Sequence, residues 1–346
     1  MTRAKPRRVL GMVSVALAAC SEGGPEAVVA APEAEVGAET SQESAKMPVA
    51  WTESELTAPG PDGGLAGTLL TPANPVTDSV VLLIAGSGPT DRDGSQRGIA
   101  AAPLRDLAHA LGERGVPSLR ADKRGLGGSA DAVANPNEVS LAAYARDAAS
   151  WIGTLDAPCT VIAGHSEGGL VAIEAADADG VCGIVLLATP GRPLDVVLEE
   201  QLRANPANAM ILDEALDIMG RIKAGERVEE MNPLLAPLFR PDIQDYMSEL
   251  LNHDPAKALA GVKIPVLVVG GGRDIQVVGA DFDALTAAKP DAQIELYPAM
   301  SHLLSDVEEG RVAAMQAYMR VDAPLTEGLA DRVAGFAIAA GSTPDG

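Results

Sequence analysis

The chain has 346 residues, 47% apolar and 3% aromatic, with 48 Asp plus Glu against 26 Lys plus Arg, a formal charge of −22. The apolar fraction excludes a wholly disordered or collagen-like chain, and the length permits one large domain or two ordinary ones. An excess of 22 negative charges repels phosphate backbones and anionic headgroups, which excludes nucleic acid as a partner and electrostatic docking to acidic membranes.

The charge is uneven. Residues 1–19 carry Arg3, Lys5, Arg7 and Arg8 and no acid, so without them the balance moves from −22 to −26. The apolar run over residues 9–19 is about half the roughly 20 residues a membrane span needs, and residues 1–19 read as a signal peptide. Leu17-Ala18-Ala19-Cys20 resembles the lipobox of bacterial lipoproteins. That resemblance implies cleavage before Cys20, lipidation of its thiol and an envelope protein held to the membrane through lipid only; Ser21 is similar to the residue found in lipoproteins sorted to the outer membrane. Residues 20–50, rich in Ala, Glu, Pro, Gly and Ser and without an apolar period, read as a disordered acidic tether.

From Trp51 onward short β-branched runs alternate with amphipathic stretches, the pattern of an α/β fold with a mostly parallel, doubly wound sheet. Residues 55–72 read as a hairpin around Asp62-Gly63-Gly64. Strands are expected at 80–86, 116–122, 160–164, 183–189, 265–271 and 293–298, and helices at 101–113, 140–155 and from Glu167. Residues 191–261 break this rhythm with three helical stretches and read as a helical cap, leaving one domain over 51–346. Met210, Met219, Met231, Met247, Leu234, Leu235, Leu238, Phe239 and Tyr246 in this insertion are the residues available to line an acyl pocket or to form the cap's own core.

Gly164-His165-Ser166-Glu167-Gly168 is a G-x-S-x-G between a buried strand and a helix. In that setting the glycines close a tight strand-to-helix turn that holds the serine strained and presents its Oγ at the sheet edge. A serine hydroxyl needs a general base and a carboxylate to orient that base. Of the four histidines, His165 is fixed inside the turn and reads as packing, His109 lies in a surface helix, and His253 lies in the insertion ahead of the last strands. His302 follows the final strand, at the edge where ligands bind in open α/β sheets, and Asp274 occupies the corresponding loop after the preceding strand. The expected triad is Ser166, Asp274 and His302, with Asp281, Asp283 and Asp306 as the alternative acids.

With these residues in this order the chain resembles α/β-hydrolase fold enzymes, and more narrowly the bacterial serine esterases of the EstD-like and serine aminopeptidase-like group. The resemblance also rests on AGSGPTDRDG at 85–94, DKRGLGGS at 122–129 and LATPGRPLD at 187–195. It implies hydrolysis of small-molecule carboxylic esters through an acyl-enzyme, which needs no cofactor; no Cys/His grouping has zinc-site spacing, and the few His argue against a metal. Ala85-Gly86 stands where the family often has His-Gly, which changes side-chain contacts there but keeps the backbone donors. The oxyanion hole is expected from the N–H groups of Glu167 and of Ser87, or failing that Gly88. The loop has neither the lysine nor the spacing of a phosphate cradle. Asp91, Arg92, Asp93 and Arg124 read as a polar network shaping it. Cys159 and Cys182 open two strands that should be neighbours, and an exported protein permits a disulfide between them. A peptidase on the same fold and a noncatalytic binding lipoprotein are the competing readings.

Overall fold

The computed structural model describes residues 50–342 apart from 136 and 322; the expected signal peptide, Cys20 and nearly all of the tether lie outside the described residues. In chain order the elements are β1 (Trp51–Pro59), β2 (Gly64–Pro72), β3 (Val80–Ile84), α1 (Pro103–Glu113), β4 (Ser118–Ala121), α2 (Leu141–Leu155), β5 (Thr160–His165), α3 (Glu167–Glu174) and β6 (Val181–Leu187). Five helices follow: α4 (Leu194–Ala204), α5 (Leu212–Lys223), α6 (Ala236–Phe239), α7 (Gln244–Asn252) and α8 (Pro255–Ala260). The chain then completes the sheet with β7 (Val266–Gly271), α9 (Gly279–Ala288) and β8 (Gln293–Tyr297), and ends in α10 (Arg311–Ala317) and α11 (Leu329–Gly341).

The strands form one sheet in the order β1-β2-β4-β3-β5-β6-β7-β8. β1 and β2 are antiparallel to each other and β2 to β4, whereas β4 through β8 run parallel. Alternate side chains of each central strand point to opposite faces, so both faces must be covered. Val81, Leu83, Val161, Ala163, Val185, Leu187, Leu267 and Val269 face one core with α1 and α11. Leu82, Ile162, Ile184, Leu186, Val266 and Val268 face the other, against Trp151 and Ile152 of α2, Ala172 of α3, Leu259 of α8 and Leu285 of α9. This is a doubly wound α/β sheet, as the apolar runs foretell.

Two local details follow from the sequence. Ser140 caps α2 by accepting the N–H of Ala143 at 3.0 Å, which satisfies one of the free donors of the first turn. The hairpin is longer than its apolar residues indicate: pairing runs from Trp51 with Pro72 to Pro59 with Gly64, because ladder hydrogen bonds extend β1 past the point where burial does. Cys159 and Cys182 are joined by a disulfide with Cα atoms 5.4 Å apart, tying the starts of β5 and β6.

The helices between β6 and β7 have an apolar cluster of their own, built on Leu202, Ile218, Ile222, Phe239, Met247 and Leu251. A second cluster seats α7 on the sheet's helices through Tyr246 and Leu250 against Leu141, Leu170 and Val171. Polar ties hold the segment on both sides. The Glu249 carboxylate accepts the N–H of Leu141, and Arg192 donates to Asp281 of α9 and to Glu200. Gln201 Nε2 donates to the carbonyl of Gln276, just past β7.

Candidate active site

The site is built at the carboxyl ends of β3, β5, β7 and β8. Ser166 stands between β5 and α3 with φ 55° and ψ −122°, a backbone conformation that costs an L residue about 1–3 kcal/mol and persists only where surroundings enforce it. They do so by close approach: a Cβ on Gly164 would lie 2.0 Å from the carbonyl oxygen of Gly168, and one on Gly168 would lie 2.3 Å from that of Ile84. The Ser166 N–H donates to Leu187 of β6 at 2.8 Å, and the residue opens onto a cavity of about 120 Å³.

Asp274 and His302 come from the loops after β7 and β8. These loops touch closely, since a Cβ on Gly271 would meet the carbonyl oxygen of Met300 at 2.4 Å, and the Arg273 N–H donates to the same carbonyl at 3.0 Å. His302 Nδ1 lies 2.8 Å from Asp274 Oδ2, and the Asp274 carboxylate has no exposed surface. Its other oxygen accepts the N–H groups of Gln276 and Val277 at 2.8 and 2.9 Å. A buried carboxylate so surrounded by donors accepts Nδ1–H, which leaves Nε2 as the imidazole's basic nitrogen. The His302 loop is closed by its own bonds, with the N–H and Oγ of Ser301 both reaching the carbonyl of Ser305 at 2.9 Å.

His165 does more than fill space. Its Nε2 is 2.7 Å from the carbonyl oxygen of His302 and its ring lies 4.8 Å from the His302 ring, so the residue before the serine fastens the histidine loop to the strand-to-helix turn. Burial, reinforced by the neighbouring His302, lowers its pKa to about 3, which makes it a neutral Nε2–H donor. His253 lines the cavity, half-buried, with its pKa lowered by burial. His109 stacks on Trp51 at 4.3 Å and pairs with Glu53, away from the site. The alternative acids are engaged elsewhere: Asp281 binds Arg192, Asp306 accepts the hydroxyl of Thr326, and Asp283 is exposed on α9.

Ser87 and Glu167 both border the cavity beside Ser166, and among the described residues neither backbone N–H has a protein acceptor. Arg92 and Asp122 brace the loop that follows Ser87. Asp122 accepts from the backbone and guanidinium of Arg92 and from the Gly128 N–H, while Asp91 accepts the N–H groups of Asp93 and Ser95. Arg124 instead binds Asp147 of α2.

The cavity wall is largely aliphatic: Leu170, Leu194, Val197, Leu198, Leu238, Met247 and Leu250. Of the insertion residues available for an acyl pocket or for the cap's own core, Leu238 and Met247 line this cavity. Met210 is 96% and Leu234 65% exposed, whereas Met219, Leu235 and Phe239 form the insertion's own core, Met231 packs against it, and Tyr246 is buried against Leu170. The helical period gives these residues an apolar face without saying which neighbour that face meets. Among the described residues no group of three or more His, Cys, Asp or Glu side chains is arranged to hold a metal ion.

Residues 81–315 match the model of the alpha/beta hydrolase family. The chain belongs to that family. Among alpha/beta hydrolases with curated descriptions, esterase EstD of Thermotoga maritima is 28% identical over 264 residues, covering 74% of this chain. The match spans 61% of EstD, less than two thirds of its length. Among solved structures, proline iminopeptidase of Mycobacterium smegmatis has a TM-score of 0.57 at 16% identity, covering 83% of this chain and 99% of that one. Est1E of Butyrivibrio proteoclasticus has a TM-score of 0.53 at 16% identity, covering 84% and 99%. At these identities the structural likeness bears on fold alone.

Proposed function

We propose that the protein is a serine hydrolase of carboxylesterase type. Ser166 Oγ attacks the ester carbonyl while His302 Nε2 takes its proton, and Asp274 orients His302 and stabilises the imidazolium. The N–H groups of Ser87 and Glu167 hold the oxyanion, the second at a helix N-terminus whose dipole favours negative charge. His302 returns the proton to the departing alcohol, leaving an acyl-enzyme. Water then attacks, with His302 again as base, and the carboxylic acid leaves.

The observation that carries this reading is the strained Ser166 at the cavity, with a buried Asp274–His302 pair on the loops after β7 and β8. The ester preference draws support from the relative named an esterase and from the aliphatic cavity wall, which suits an acyl chain. In this reading α4–α8 act as the cap and supply part of that wall. A peptidase taking a free amino terminus would need an unopposed carboxylate near Ser166; Glu167 is the acid there, and Lys123 already faces it.

Hydrolysis of p-nitrophenyl esters from acetate to decanoate, beside aminoacyl p-nitroanilides, tests the reading. Ester cleavage by the wild type and a loss of about 10³-fold or more in Ser166→Ala is expected. Activity untouched by the substitution rules out Ser166 as nucleophile, and anilide cleavage in preference to esters rules for the peptidase. We also propose lipid anchoring at Cys20 in the bacterial envelope, on the strength of the basic start, the short apolar run and the LAAC sequence. Cys20→Ala expressed in a lipoprotein-processing bacterium should lose palmitate labelling; retained label would contradict the anchor.

A further inference from the structure

Lys123 is a buried amine that the catalytic scheme leaves unused. It follows β4, which runs parallel beside β3, so it stands next to the loop that leaves β3 and carries Ser87. Only 8% of the residue is exposed, and its Nζ donates to two carbonyls of that loop, Gly86 at 2.5 Å and Gly88 at 2.8 Å. The Tyr144 ring lies 5.9 Å from Nζ; burial lowers the pKa of Lys123 and raises that of the buried Glu167, and each group acts against the other's shift. Glu167 is the residue whose backbone N–H is the other oxyanion donor.

The consequence follows from peptide geometry. The carbonyl of Gly86 and the N–H of Ser87 belong to one peptide unit, planar and trans, and point in opposite directions. Fastening that carbonyl to Lys123 therefore aims the Ser87 N–H the other way, toward the cavity and Ser166, and Gly86 itself backs onto Ser166 closely enough that a Cβ there would lie 3.1 Å from the Ser166 Cβ. A flip of the Gly86–Ser87 peptide would forfeit a hydrogen bond from a buried amine, which is costly in a dry site. That bond also polarises the peptide unit, making its N–H a stronger donor.

We propose that Lys123 is the positioning residue of the oxyanion hole: its amine holds the Gly86 and Gly88 carbonyls so that the Ser87 N–H is aimed at the oxyanion. The inference rests on the esterase reading of Ser166. It predicts a defect in transition-state stabilisation rather than in substrate binding.

Lys123→Met removes the donors while keeping the length of the side chain. Because the single substitution leaves Glu167 as a lone buried acid, Lys123→Met/Glu167→Gln is made beside it, and Lys123→Arg serves as the conservative variant that keeps the donors. On p-nitrophenyl butyrate the folded Met variants should lose about 10- to 100-fold in kcat with KM within about threefold, and bind a trifluoromethyl ketone weaker by the same factor as kcat/KM. Lys123→Arg should recover part of both. A folded Met variant with kcat within twofold of wild type, or one whose loss lies in KM with unchanged ketone affinity, overturns the inference. If Ser166→Ala abolishes activity while the Met variants keep it, only the role of Lys123 fails; if Ser166→Ala stays active, the esterase reading fails first.

Discussion

His165 is neutral near pH 7, since burial and the adjacent His302 hold its pKa near 3, against about 6.5 for an exposed histidine in the unfolded chain. Between those two values the unfolded chain binds the extra proton, so the native state loses stability as the pH falls through that window. The stabilisation is complete above about pH 6.5, and at full effect its loss approaches 1.4 kcal/mol per pH unit. His165→Asn keeps a donor for the His302 carbonyl but cannot titrate. Urea unfolding at several values from pH 4.5 to 7 should show a slope of stability against pH shallower by up to one proton in the variant. Identical slopes in both proteins would mean that His165 is not held neutral. Ser166 and Asp274 were legible because each follows a buried apolar strand, and His302 because it follows the last strand, although that edge strand, with Ile294 and Leu296 about half exposed, is not buried. The bonds of His165 and Lys123 were not, for their acceptors lie 137 and 37 residues away and are set by sheet pairing.

Elements differ in legibility for physical reasons. Central strands declare themselves because both faces are apolar, and α2 because its serine cap and apolar period agree. The helix α11 did not stand out, as its buried side is mostly alanine, Ala330, Ala334, Ala337 and Ala340, which contrasts weakly with the rest. The start of α3 packs tightly against the ends of β5 and β3. Gly168→Ala would force a methyl group against the Ile84 carbonyl and push α3 outward, so a loss of about 1–3 kcal/mol in chemical denaturation is expected, with kcat falling as the Glu167 N–H moves. Gly153 makes the contrasting case: it is exposed near the end of α2, and a Cβ there meets nothing within 4 Å. Gly153→Ala should raise stability by about 0.5–1 kcal/mol with activity unchanged, because only the unfolded chain loses freedom. A Gly168→Ala protein as stable and active as wild type would show that the junction can open.

At the scale of the molecule the dominant fact is the net charge of −22, the acids left over once every Lys and Arg is matched against one. Pairs such as Arg203 with Glu199 and Arg221 with Glu226 are exposed and contribute at most a few tenths of a kcal/mol each. Added salt weakens these pairs, but it also screens the repulsion among the surplus carboxylates as the Debye length shrinks from about 30 Å at 0.01 M to about 3 Å at 1 M. Repulsion acts over longer distances than the pairs and is screened first, so the net effect should be stabilising. The melting temperature is therefore expected to rise by several degrees between low salt and about 0.5 M sodium chloride, most steeply below 0.1 M. Choline chloride at equal ionic strength should give the same curve, since screening depends on ionic strength rather than on the cation. A melting temperature that falls with salt would assign the stability to ion pairs, and curves that differ between the two salts would assign it to specific ion binding.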